Sequence, residues 1–167
     1  MSSLRVLPPL SFREFSVLLF LLTACFAAAA LGYWFNLGPI QDWYPALRKP
    51  TWTPPNWVFA PVWTTLYALM ALAAWLVWLR AGWPACRAAM TLFIVQLVLN
   101  AAWSGLFFSL HQPGIAFVEI LVLWFAIAAT LWQFGRISTL AASLFTPYLL
   151  WVTFAAVLNG TIWRMNA

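Results

Sequence analysis

Between Phe15 and Trp163 the chain contains five stretches of about twenty or more residues, and only one acidic side chain, Glu119, lies inside any of them. Prolines and glycines stand between these stretches, and arginines gather at their ends. A helix needs about 20 apolar residues to cross the hydrocarbon of a bilayer. The pattern therefore predicts an all-α, integral membrane bundle of five transmembrane helices. The spans run over about 15–35, 57–79, 87–110, 115–134 and 138–163, with a long first loop at 36–56, in one domain over 1–167. Composition agrees: 7% of the residues are charged, against about 25% in soluble domains. The net charge of +5 comes from basic residues at span ends. It reads as topology signal and headgroup contact, with no nucleic-acid partner.

The first span carries a second pattern. Arg5 and Arg13, an apolar core and Ala27-Ala28-Ala29 resemble a secretory signal, and Leu22-Thr23-Ala24-Cys25 resembles a lipoprotein cleavage box. The apolar run continues about ten residues past Cys25, longer than a signal core allows, so a retained helix is expected. Ala24, Ala28 and Gly32 recur every four residues and suit close helix packing in lipid. Cys25 and Cys86 match no zinc or redox spacing and read as buried, inert thiols.

In the long loop, Gly38-Pro39, Tyr44-Pro45, Lys49-Pro50 and Pro54-Pro55 exclude a long helix. Turns are expected at Ala81-Gly82-Trp83-Pro84, at His111-Gln112-Pro113-Gly114 and at Gly135-Arg136, and a kink in the last span at Pro147. Five crossings leave the termini on opposite sides. Arg5, Arg13, Arg80, Arg87 and Arg136 share the N-terminal side, against Arg48, Lys49 and Arg164 on the other, which favours an inside N-terminus.

Polar groups inside a bilayer cost free energy and are informative. Gln96, Asn100 and Ser104 form a stripe on the third span with Trp103 beside it. Inter-helix hydrogen bonding and a ligand-cavity wall both account for it. Trp151, Ala155 and Asn159 share a face of the fifth span and would suit a flat apolar ligand; ordinary packing would also explain them. Glu119 has basic residues on its side of the membrane for pairing, or lies at headgroup level. His111 is the one histidine, in a turn, and reads as interfacial. Trp34, Trp43, Trp57, Trp83 and Trp163 fall at span boundaries, as indoles do. Trp63, Trp75, Trp103, Trp124 and Trp151 fall deeper. There is no paired-carboxylate site, no nucleophile with a base and no metal cluster in the sequence, so acid–base catalysis has little to work with.

The residues from Lys49 to Trp63, KPTWTPPNWVFAPVW, resemble the loop and second-helix signature of the translocator protein family, also called tryptophan-rich sensory proteins or peripheral-type benzodiazepine receptors. QLVLNAAW at 96–103, Phe107-Phe108, PYLLW at 147–151, Leu158-Asn159 and Trp163-Arg164 agree in order. The resemblance implies a five-helix bundle, commonly a homodimer. It binds protoporphyrin IX or haem as ligand, and isoquinoline or benzodiazepine-type compounds in some members, in a pocket beneath the first loop. Carried onto this chain, its motif positions are Trp52, Trp57, Trp63, Asn100, Trp103 and Trp151, and the residue reading adds Gln96, Ala155 and Asn159. No covalent cofactor and no metal are expected. Three functions stay open: a membrane receptor or sensor for tetrapyrroles in porphyrin homeostasis or oxidative stress, a light- and oxygen-dependent porphyrin-degrading enzyme acting through Trp63 and Trp151, and a porphyrin or sterol transporter. Two departures stand out. Gly160 replaces the tyrosine of the family's sterol motif, so sterol is the least expected ligand. Thr91 and Val95 replace the small residues of its dimer seam. Helical spans favour the bacterial cell membrane, with the outer membrane as the alternative.

Overall fold

The computed structural model describes residues 11–167, so Arg5 lies outside the described residues. Five long helical arms and one short helix make up the chain. Helix α1, Phe12–Asn36, opens on a capping box: Glu14 N–H donates to Ser11 Oγ, and the Glu14 carboxylate accepts from Ser11 N–H at 2.7 Å, which satisfies two otherwise orphaned groups. It continues without a break through Cys25.

The long loop is more ordered than its prolines suggested. Pro39–Ala46 forms a short helix, α2, with Pro39 in its first turn, where proline has no donor to lose. Helix α3, Asn56–Ser104, contains two crossings. Gly82, at φ 70° and ψ 166°, breaks it into arms 56–81 and 83–104, a conformation open essentially to glycine alone. Tyr67 on the first arm hydrogen-bonds Asn100 on the second. These positions lie nearly symmetrically about the break, so the chain reverses there as expected.

The second arm ends in a π-turn, Gly105–Ser109. His111 then takes φ 53°, which places the chain for α4, Pro113–Ile137. Ser138 caps α5, Thr139–Asn166, by accepting from Ala141 N–H at 3.2 Å. The kink expected at Pro147 does not interrupt α5, which stays helical through it. Arms of 25 residues span about 37 Å at 1.5 Å per residue, enough to cross a bilayer.

Two cores result. The larger one runs from the end near Gly82 and Ser138 through the middle of the bundle, as far as Tyr67, Tyr148, Val152 and Ala156. Fully buried Ala71, Ala73 and Ala74 let the first arm of α3 approach its neighbours, around Met70, Phe93, Phe134 and Phe145. Both cysteines are buried and free. The buried stripe of α1 runs through Leu21, Cys25 and Gly32, with Ala24 only half-buried; a β-carbon on Gly32 would lie 3.2 Å from Ser104 Oγ. The smaller core, Tyr44, Phe107, Phe108, Ala116, Leu158 and Ile162, sits at the opposite end beneath α2.

Candidate ligand site

The first loop closes the α2 end of the bundle through polar ties. The Lys49 ammonium donates to the carbonyls of Tyr44, Pro45 and Leu47 at 2.6, 3.2 and 3.0 Å, and lies 4.8 Å from the Tyr44 ring. It thereby closes the C-terminus of α2, where a cation is favoured. Burial raises the Tyr44 hydroxyl above the ordinary tyrosine range, so it stays neutral. Arg48 exchanges two hydrogen bonds with Asn166 of α5, N–H to Oδ1 and Nδ2–H to carbonyl, each 2.9 Å. The exposed His111 ring stacks on Trp43 at 4.4 Å.

Below this lid the aromatics meet in two groups. Trp52 meets Phe154 at 5.8 Å, Phe154 meets Trp151 at 5.4 Å, and Trp151 meets Phe59 at 5.9 Å. Deeper, Trp63 contacts Tyr67 at 5.5 Å and Tyr148 at 6.2 Å. Both tyrosines are buried, and a buried phenol needs a partner for its hydroxyl. Asn100 supplies it on both sides: Tyr67 donates to its Oδ1, and its Nδ2 donates to Tyr148 Oη at 3.0 Å. To one side, Trp103 Nε1 donates to Asn159 Oδ1 at 3.0 Å, and Asn159 Nδ2 donates to the Pro113 carbonyl at 2.8 Å. That pair ties the second arm of α3, α5 and the start of α4 together.

Of the nine residues singled out from sequence, six stand in these groups: Trp52, Trp63, Asn100, Trp103, Trp151 and Asn159. Ala155 is half-buried one turn beyond Trp151. Gln96 is fully buried, but its amide donates to Phe93 of its own helix at 2.9 Å and its Oε1 has no partner. Trp57 stands apart, 75% exposed and in none of the aromatic contacts among the described residues. Tyr67, Tyr148, Phe59 and Phe154 are the members the residue reading passed over. The signal available was a phenol in the middle of an apolar span, with its hydroxyl unaccounted for.

Trp124 lies midway along α4, as its depth in the span implied; it packs in part against the larger core and donates to Thr153 Oγ1 at 2.8 Å. Two expectations change. Trp75 is not deep: its indole N–H reaches the Glu14 carbonyl at 2.9 Å, in the first turn of α1. Glu119 makes no ion pair with Arg48, Lys49 or Arg164; both carboxylate oxygens are buried without a partner.

Two grooves open on the outer face of the bundle. One, about 570 Å³, runs along the second arm of α3 past Trp83, Arg87, Thr91 and Val95. The other, about 440 Å³, lies between α4 and α5 and ends at Trp163 and Arg164. Neither is lined by the nine residues, whose aromatic members pack on one another instead.

Comparison with known proteins narrows the reading. A sequence model described as the TspO/MBR family matches residues 20–164. The tryptophan-rich protein TspO of Chlorobaculum tepidum is 41% identical over 144 residues, covering 85% of this chain and 90% of that one. The tryptophan-rich sensory protein of Cereibacter sphaeroides is 39% identical over 153 residues, 92% and 93% of the two chains. The translocator protein of Homo sapiens is 44% identical over 138 residues, 81% and 82%.

Proposed function

We propose, for a chain that belongs to the TspO/MBR family of multi-pass helical membrane proteins, that it binds a tetrapyrrole such as protoporphyrin IX or haem beneath the first loop and acts as a receptor or sensor for it. The observation that carries this reading is the gathering of Trp63, Tyr67 and Tyr148 around Asn100, with the Trp52–Phe154–Trp151–Phe59 group beside it, under a loop tied down at Arg48 and Lys49. Broad apolar faces with few polar handles match a flat macrocycle. Isoquinoline or benzodiazepine-type compounds, also flat and apolar, would compete for the same faces. The outer groove beside Thr91 and Val95 supports a homodimer seam there.

The test is a titration of the protein in lipid nanodiscs with protoporphyrin IX, read by quenching of tryptophan fluorescence. Saturable quenching is expected, with affinity lowered about tenfold or more when Trp63→Phe and Trp151→Phe are combined. Unchanged affinity in that double variant would overturn the site.

One observation favours a second reading, light- and oxygen-dependent breakdown of the bound tetrapyrrole. Trp63 packs on Tyr67, whose hydroxyl proton is held by Asn100, an indole–phenol pair suited to passing an electron to an excited macrocycle. Bleaching of the porphyrin bands under light and oxygen, compared between the wild type and the same double variant, decides it. Equal bleaching in both removes the enzymatic reading.

A further inference from the structure

Two aromatic rings seated on glycines fasten the start of α4 to the end of α5. A β-carbon on Gly114 would lie 2.8 Å from Trp163 Nε1, and one on Gly160 would lie 2.8 Å from the Phe117 ring. Neither position has room for a side chain, so each glycine is a seat for an aromatic of the other helix. The two rings meet each other at 5.8 Å.

With the rings sunk this far, the outer face between the helices is left hollow. This is the groove of about 440 Å³, walled by Phe117 and Leu121 of α4 and by Val157 and Gly160 of α5. The hydrogen bond from Trp124 to Thr153 closes its inner end. Trp163 and Arg164, in the last turn of α5, stand at the other end. From Thr153 to Arg164 the helix rises about 16 Å. One leaflet of hydrocarbon is half of about 30 Å deep. The groove therefore reaches from headgroup level to the bilayer midplane, with its cation at the headgroup end.

That cation is unmet. Arg164 is exposed, and among the described residues no carboxylate pairs with it. Glu14 caps α1 at the opposite end of the bundle, and the Glu119 oxygens have no partner. Asn166 holds the backbone of Arg48 beside the same helix end, so a second basic residue stands nearby.

We infer that the groove between α4 and α5 holds one acyl chain of an anionic phospholipid, with its phosphate paired to Arg164. Length and charge name this occupant together. An acyl chain fills an apolar channel one leaflet deep, and a guanidinium matches a phosphate with a planar fork of donors. A zwitterionic lipid brings a cation of its own to that point. A neutral sterol would cover the walls and leave the guanidinium without a counter-charge. The inference does not depend on the tetrapyrrole reading, because the groove shares none of that site's nine residues.

Native mass spectrometry tests it, on the full chain in detergent micelles titrated with dioleoyl phosphatidylglycerol or dioleoyl phosphatidylcholine. The first equivalent of phosphatidylglycerol should bind about fivefold more tightly, the preference that one basic residue at a lipid surface confers. Arg164→Gln should bring that ratio to within about twofold of unity. Arg87→Gln, on the other outer groove, should leave it unchanged. Val157→Trp, which fills the groove from its exposed lip, should weaken both lipids. Equal affinities in the wild type, or equal losses in the two arginine variants, would overturn the site, since the attraction would then be general charge. Unweakened binding in Val157→Trp would overturn it by placing the lipid elsewhere. Displacement of phosphatidylglycerol by equimolar cholesterol would overturn it by giving the groove to a sterol.

Discussion

The two ends of the bundle bury different things. Toward Gly82 and Ser138, the interior is alanine, phenylalanine and methionine, with Ser138 engaged as a cap. Toward α2, tryptophan and tyrosine join phenylalanine, and Asn100, Asn159 and Glu119 enter between the helices. In lipid, helices gain little from hiding apolar surface, because the solvent is apolar too, and association depends on close packing and hydrogen bonds. The first end relies on close packing. The second uses hydrogen bonds between side chains that could be made to something else. That contrast is what the ligand site proposed at the α2 end rests on.

Four variants test the contrast. The largest effect should come from Phe93→Ala in the packed end, where Phe93 meets Phe134 and Phe145 at 6.0 and 6.3 Å. A loss of about 3–5 kcal/mol is typical of such a deletion, seen as a fall in melting temperature, with the ligand affinity of the surviving folded fraction unchanged. Loss of ligand affinity along with stability would break the comparison.

Asn100→Leu comes next. It leaves the Tyr67 and Tyr148 hydroxyls without their shared partner, and should cost about 1–3 kcal/mol while also weakening ligand binding. Gly82→Ala should rank third: the alanine meets no atom within 4 Å but must hold a left-handed backbone, at about 1–3 kcal/mol. Its melting temperature should fall with no change in porphyrin affinity. The smallest effect belongs to Asn166→Ala, which unties Arg48. Hydrogen exchange should quicken across residues 47–55, with global stability altered by about 1 kcal/mol or less. Exchange that stays slow there would mean Lys49 holds the lid alone.

The spans were readable because proline, glycine and arginine punctuate runs whose length alone fits a bilayer. The reversal at Gly82 was readable for the same reason. Helix α2 was hidden because Pro39 and Pro45 were weighed as breakers, whereas proline in a first turn starts a helix. Depth was harder. Trp75 falls only five residues before Arg80, and its indole reaches back to the Glu14 carbonyl, so counting inward from a boundary overstated how far in it sits. Trp57 was placed in the site by motif, but it stands in the first turn of α3, where no neighbouring helix constrains the face it presents. The Tyr67–Asn100–Tyr148 chain needs the antiparallel register of two arms and the approach of a third helix. No local pattern carries that, and neither does any local pattern reveal that Glu119 finds no cation.

The tie between Arg48 and Asn166 has a consequence for how the protein is made. The two residues are 118 positions apart, so the first loop emerges early in synthesis and its anchor emerges after all five crossings. Until α5 is threaded and seated, residue 48 lacks this anchor and only the local bonds of Lys49 to the end of α2 shape the loop. Closure of the lid therefore marks completion of assembly. A protease cutting near residue 48 would distinguish a finished bundle from one still lacking its last helix.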